Sequence, residues 1–216
     1  MELEKMIDYT VLKPEATVKN VRELCHEARE YGFYSVCVNP CHIRLCRGEL
    51  EGSDVKVCTV IGFPLGALDK EMKALEAGKA LELGADELDM VINLGYLKSG
   101  MLEQVWEDIE AVVGAAGGRV VKAIIEAGML SDDEKKAACT AAKRAGASFV
   151  KTSTGFGYGG ATTYDVKLMR QTVGKDMGVK ASGGIKTKEQ AMELIKAGAN
   201  RIGTSTNIIR ASSPSS

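Results

Sequence analysis

Four ionisable residues stand inside runs that otherwise read as buried strands: Asp89 in ELDMVIN, Lys122 in VVKAIIE, Lys151 in SFVKTST and Lys180 in GVKASGG. A charge in such a run is costly unless it is paired or loses its proton. One of them could be a structural ion pair. Four on consecutive strands point instead to a site. Strand parity places Asp89, Val91 and Asn93 on one face, and Lys122, Ile124 and Glu126 on one face of the next run. Lys151 and Lys180 fall on neighbouring strands, whose axes are about 4.8 Å apart. Two ammonium groups at that range repel, so one should lose its proton. An unperturbed lysine, with a pKa near 10.4, is neutral in only about 0.04% of molecules at pH 7. A pKa of about 7 would make about half of it a nucleophile able to attack a carbonyl.

These runs belong to a repeat. Strand-like segments recur at 35–39, 55–62, 87–93, 120–126, 148–154, 178–184 and 201–206, most of them about 30 residues apart. A shorter candidate is IDYTVL at 7–12. Between them, Ser131–Glu134 and Thr187–Gln190 are capping-box patterns that start helices. One junction recurs before a strand, as GADEL at 84–88, GASFV at 146–150 and GANRI at 198–202. Its glycine suits the left-handed residue that ends a helix. Eight serial strand–helix units predict a single-domain α/β fold, a (β/α)8 TIM barrel spanning residues 1–210. A doubly wound open sheet is the alternative. Polar residues and glycines at the strand ends favour the barrel, whose C-terminal strand ends converge on one mouth.

Several of these segments together carry a family resemblance. IDYTVLKPEAT (7–17), SVCVNP (35–40), TVIGFPLG (59–66), ELDMVIN, VKAIIEAG (121–128), VKTSTGF, VKASGGI and RIGTST resemble, in order, the deoxyribose-phosphate aldolase family of class I aldolases. The resemblance implies reversible cleavage of 2-deoxy-D-ribose 5-phosphate to acetaldehyde and glyceraldehyde 3-phosphate, without metal or organic cofactor. The scattered cysteines and the lack of an export signal point to the cytoplasm. The resemblance also implies that Lys151 forms the Schiff base, that Lys180 assists it, and that Asp89 acts as acid and base. It further places Asp8, Thr10, Cys37 and Lys122 about the substrate. Tyr9, Leu68, Ala127 and Phe156 depart from wordings common in the family, which have histidine, asparagine, threonine and, in a longer branch, lysine there.

The phosphate should be held locally, because the formal net charge is only -1. Gly183 and Gly184 lead toward the helix that starts near Thr187, and Gly203 to Ser205 form a second glycine-and-hydroxyl turn. Thr154 and Gly155 follow the Lys151 strand as further contributors. Such loops at the last strands of a barrel are recurrent phosphate cradles. The same near-neutral charge excludes a general nucleic-acid or membrane-surface binder. No apolar run reaches bilayer length, and no signal-peptide core is present. The six cysteines read as reduced thiols, and Cys37, Cys41, His42 and Cys46 match no common zinc spacing. His26 reads as a surface or packing residue. The helix at 101–113, with Trp106, reads as packing on the barrel or as a contact in a homo-oligomer, a dimer or tetramer. ASSPSS at 211–216 reads as a disordered tail. Two other functions remain on this scaffold: a non-covalent phosphosugar isomerase or synthase, and a phosphosugar-binding protein without turnover.

Overall fold

Every strand alternates its side chains between two environments, and the outer set is mostly apolar. Ile7, Val36, Val57, Leu88, Val121, Val150, Val179 and Ile202 all belong to one buried cluster shared with the helices. The strands that carry them are β1 (Ile7–Val11), β2 (Ser35–Val38), β3 (Lys56–Ile61), β4 (Glu87–Val91), β5 (Val120–Ile124), β6 (Phe149–Lys151), β7 (Gly178–Ser182) and β8 (Arg201–Thr204). They pair in parallel in chain order, and β8 pairs with β1, so the sheet closes into a barrel. The computed structural model describes residues 2–210, so the serine-rich stretch 211–216 lies outside the described residues. The closed (β/α)8 reading holds, and the open sheet is excluded by the β1–β8 pairing.

Helices return the chain between strands: α1 (Val18–Glu30), α2 (Ile43–Glu49), α3 (Lys70–Glu82), α4 (Leu94–Lys98), α5 (Leu102–Ala115), α6 (Asp132–Arg144), α7 (Thr163–Val173) and α8 (Lys188–Ala197). Both expected capping boxes form, with Ser131 and Thr187 accepting from the amides of Glu134 and Gln190. A third forms at Thr17 and Asn20. Each such cap is worth about 1 kcal/mol. The junction glycines Gly84, Gly146 and Gly198 have φ of 108°, 80° and 121°, a region that a side chain makes costly. No helix follows β8 among the described residues, and none there is long and apolar enough to cross a membrane.

A buried ion pair ties the helical layer to the strand that carries Asp89. Lys73 of α3 and Asp108 of α5 are both fully buried and 2.7 Å apart. Lys73 also donates to the Val91 carbonyl at 2.9 Å, and Asp108 accepts from the Asn93 amide at 2.9 Å. Breaking such a pair by removing one partner costs about 3–5 kcal/mol. The pair therefore fixes α3 and α5 against the C-terminal end of β4. Trp106 of α5 is half-buried, with the Arg144 guanidinium 4.0 Å over its ring, and His26 is exposed beside Glu30.

Candidate active site

The inner set of strand side chains carries a cluster of buried polar and charged groups beside a small apolar patch of Cys37, Cys58 and Val60. Asp8, Ser35, Glu87, Asp89, Lys122, Lys151, Lys180 and Arg201 are all buried, and they meet inside the barrel. Sheet register decides which of them touch: Asp89 lies opposite Lys122 across β4–β5, and Lys151 opposite Lys180 across β6–β7.

Asp89 is the hub. Its Oδ2 accepts from Lys151 Nζ at 2.8 Å and from Lys180 Nζ at 2.7 Å, and its Oδ1 from Lys122 Nζ at 2.7 Å. Burial works against its charge, but the three ammonium groups outweigh burial and hold the carboxyl well below the usual range. Lys180 also pairs with Asp8 Oδ2 at 2.5 Å. Burial would drive its proton off, yet Asp8 and Asp89 outweigh burial and hold the ammonium above the ordinary lysine range. Lys122 is bound on its other side by Glu87 at 2.7 Å. Asp8 completes the floor, accepting from Ser35 Oγ at 2.6 Å and from Arg201 Nη1 at 2.7 Å. The Arg201 guanidinium stacks 3.4 Å over the Tyr34 ring.

Charge counting replaces the simple picture of two ammonium groups repelling across neighbouring strands. Four cations (Lys122, Lys151, Lys180, Arg201) face three carboxylates (Asp8, Glu87, Asp89). One positive charge is in excess. Lys151 is the only member of the cluster on the wall of the cavity above it.

That cavity, about 750 Å3, is walled by Thr10, Thr154, Gly155, Gly183, Gly184, Gly203 and Ser205 as well as by Lys151. The structure thus brings eight of the singled-out residues to one chamber. Asp89 and Lys180 lie directly behind Lys151 in the hydrogen-bonded cluster. Asp8, Cys37 and Lys122 are fully buried and stand off the wall. Cys37 lies beside Cys58 on the adjacent strand, and Cys58 donates to Asp89 Oδ1 at 3.2 Å. Cys37, Cys58 and Asp89 hold their ligand atoms within 4.8 Å of one another. The Asp89 carboxylate is already saturated by three ammonium groups, so this trio is a poor cation site. The spacing cluster Cys37, Cys41, His42 and Cys46 does not assemble as a metal centre among the described residues.

Gly155, Gly183 and Gly184 have φ of 86°, 88° and 76°. The amides of Gly155 and Gly184 have no protein acceptor among the described residues. Both glycines line the cavity. Two sequence expectations change. β4 and β5 end at Val91 and Ile124, so Asn93 and Glu126 do not continue the strand parity. Asn93 instead caps α4, and Glu126 turns left-handed with φ 53°. Sequence reasoning missed Glu87 and Arg201, although each is a charge inside a strand. The rule that found the lysines would have found them too.

A family model for the DeoC/LacD aldolases matches residues 3–208. The chain belongs to the DeoC/LacD aldolase family. It is 59% identical over 208 residues to a deoxyribose-phosphate aldolase of Streptococcus gordonii, covering 96% of this chain and 94% of that one. It is 59% identical over 209 residues to a deoxyribose-phosphate aldolase of Clostridium tetani, covering 96% and 97%. Among solved structures, the deoxyribose phosphate aldolase of Aeropyrum pernix, described as a tetramer, superposes with a TM-score of 0.88 at 41% identity, covering 94% and 86%.

Proposed function

We propose that this aldolase reversibly cleaves 2-deoxy-D-ribose 5-phosphate to acetaldehyde and D-glyceraldehyde 3-phosphate, with Lys151 as the nucleophile. The observation that carries the reading is the placement of Lys151 as the one amine of a surplus-charge cluster that faces the cavity. Its family membership and its likeness to curated deoxyribose-phosphate aldolases over nearly the whole chain support the substrate.

The proposed reaction runs through a Schiff base. Neutral Lys151 adds to C1 of the open-chain sugar, and loss of water leaves an iminium. Its positive charge draws electrons from the C2–C3 bond. As the C3 hydroxyl gives up its proton, that bond breaks, releasing glyceraldehyde 3-phosphate and leaving an enamine on Lys151. Protonation of the enamine carbon and addition of water release acetaldehyde. Asp89 Oδ2, shared by Lys151 and Lys180, connects the nucleophile to a second ammonium and supplies the proton path. Asp8 and Lys122 hold Lys180 and Asp89 in place. The Gly155 and Gly184 amides bind the phosphate at the other end of the sugar, with Gly183, Gly203, Ser205 and Thr10 shaping the wall.

Borohydride reduction in the presence of acetaldehyde tests the proposal. The ethyl adduct is expected on Lys151. Peptide mapping that placed it mainly on Lys122 or Lys180 would refute the assignment. A protein that bound the phosphosugar without consuming it, or acted without a trappable intermediate, would leave Lys151 unmodified.

A further inference from the structure

Glu126 is the only non-glycine residue at positive φ among the described residues, at 53° in the turn after β5. Such a conformation persists in a bulky residue only where the surroundings require it. Its carboxylate is buried, and no cation pairs with it among the described residues. A buried carboxylate without a counter-ion must be met by hydrogen bonds. Its hydrogen bonds come from one residue on the next loop: the Thr154 amide donates to Oε1 at 3.2 Å and to Oε2 at 3.4 Å, and the Thr154 hydroxyl donates to Oε2. Thr154 Oγ1 in turn accepts from the Phe156 amide at 3.1 Å. Of three successive amides, those of Thr154 and Phe156 are consumed, and only that of Gly155 is left without an acceptor. Neighbouring contacts press the same loop from both sides. A Cβ on Gly128 would come within 1.7 Å of the Tyr158 carbonyl oxygen, and one on Gly160 within 2.2 Å of that of Gly183. Glu126 itself does not reach the cavity wall, whereas Thr154, Gly155 and Phe156 do.

We propose that Glu126 is a positioning residue that clamps the Thr154–Phe156 turn so that the Gly155 amide is presented to the phosphate, making the site selective for a phosphorylated sugar. This rests on the phosphosugar reading above. Glycine is the residue that tolerates φ 53° without strain, so Glu126→Gly removes the carboxylate while relaxing the backbone. Glu126→Gln keeps one acceptor oxygen for the Thr154 amide.

The test measures kcat/KM on 2-deoxyribose 5-phosphate and on 2-deoxyribose for the parent and both variants, with borohydride trapping of acetaldehyde as a control. Glu126→Gly is expected to lower efficiency on the phosphorylated sugar at least about tenfold, chiefly through KM, and to change the unphosphorylated sugar less than about threefold. Trapping at Lys151 should stay at the parent level, and Glu126→Gln should fall between. A parent that prefers the phosphorylated sugar and a Glu126→Gly variant that keeps the full preference would overturn the proposal. So would an equal loss on both sugars together with lost trapping, because the carboxylate would then hold up the whole site. A parent with no preference between the sugars would instead remove the phosphate reading on which the proposal stands.

Discussion

Lys151 and Lys180 donate to the same oxygen, Oδ2 of Asp89, at 2.8 and 2.7 Å. The two ammonium groups are therefore coupled through a carboxylate rather than by bare repulsion. A change at either lysine alters the charge balance felt by the other. Lys180 has Asp8 as a second carboxylate at 2.5 Å, whereas Lys151 has Asp89 alone. Lys151 is thus the lysine of the cluster held by the fewest carboxylates.

Lys180→Met removes one cation and leaves three cations against three carboxylates, so the excess positive charge beside Lys151 is gone. The expected result is a fall of at least about tenfold in kcat/KM at neutral pH, with the acid limb of the pH–rate profile moved to higher pH. Rate profiles of parent and variant check this. An unchanged limb with normal turnover would show that the two lysines are not coupled.

The buried carboxylates predict how stability depends on pH. Burial opposes charge on Asp8 and Asp89, but Lys180, Lys122 and their neighbours outweigh it and depress both groups in the folded state. The unfolded chain then binds protons at higher pH than the folded one. Their stabilisation is fully present above the ordinary aspartate pKa near 3.9 and is lost as pH falls below it toward the depressed folded values. Asp89→Asn should cost about 3–5 kcal/mol at pH 7, because three buried ammonium groups lose their shared partner. It should also flatten the acid dependence. Denaturant unfolding at pH 7 and down a series of acid buffers reads both effects, and a variant as stable as the parent at pH 7 would contradict them.

Gly184 tests the phosphate cradle from the cavity side. A Cβ there meets nothing within 4 Å, so a side chain would project into open space, and the φ of 76° adds backbone strain. The parent is expected to prefer 2-deoxyribose 5-phosphate over 2-deoxyribose by at least about a hundredfold, from charge-assisted hydrogen bonds of roughly 1.5–3 kcal/mol each. Gly184→Val should shrink that preference by harming the phosphorylated sugar far more. Steady-state kinetics on both sugars decide it, and an equal loss on the two would mean that the valine merely disturbs the fold.

Activity should survive exhaustive chelation. The best cation geometry among the described residues, Cys37 with Cys58 and Asp89, uses a carboxylate that three ammonium groups already occupy. Loss of turnover on chelation with recovery on adding zinc would show that a metal displaces them.

The sequence by itself determined the strand–helix repeat, the capping boxes at Ser131 and Thr187, the junction glycines and the in-strand charges at Asp89, Lys122, Lys151 and Lys180. Each is a local signal: a period of two, a hydroxyl three residues before a carboxylate or amide, a charge where burial forbids one. What the tertiary structure decided is which charges meet. Asp8 and Arg201 are 193 positions apart, yet they touch because β8 closes against β1, and no local pattern encodes closure. Lys122 looked like a substrate contact, but the register buries it beneath Asp89 and Glu87 and leaves Lys151 alone at the cavity wall. Glu126 read as the polar end of a strand. Only the fold reveals its left-handed turn and its hold on Thr154, because a backbone angle of that sign in a glutamate is imposed by the packing of two loops and not by the residue itself.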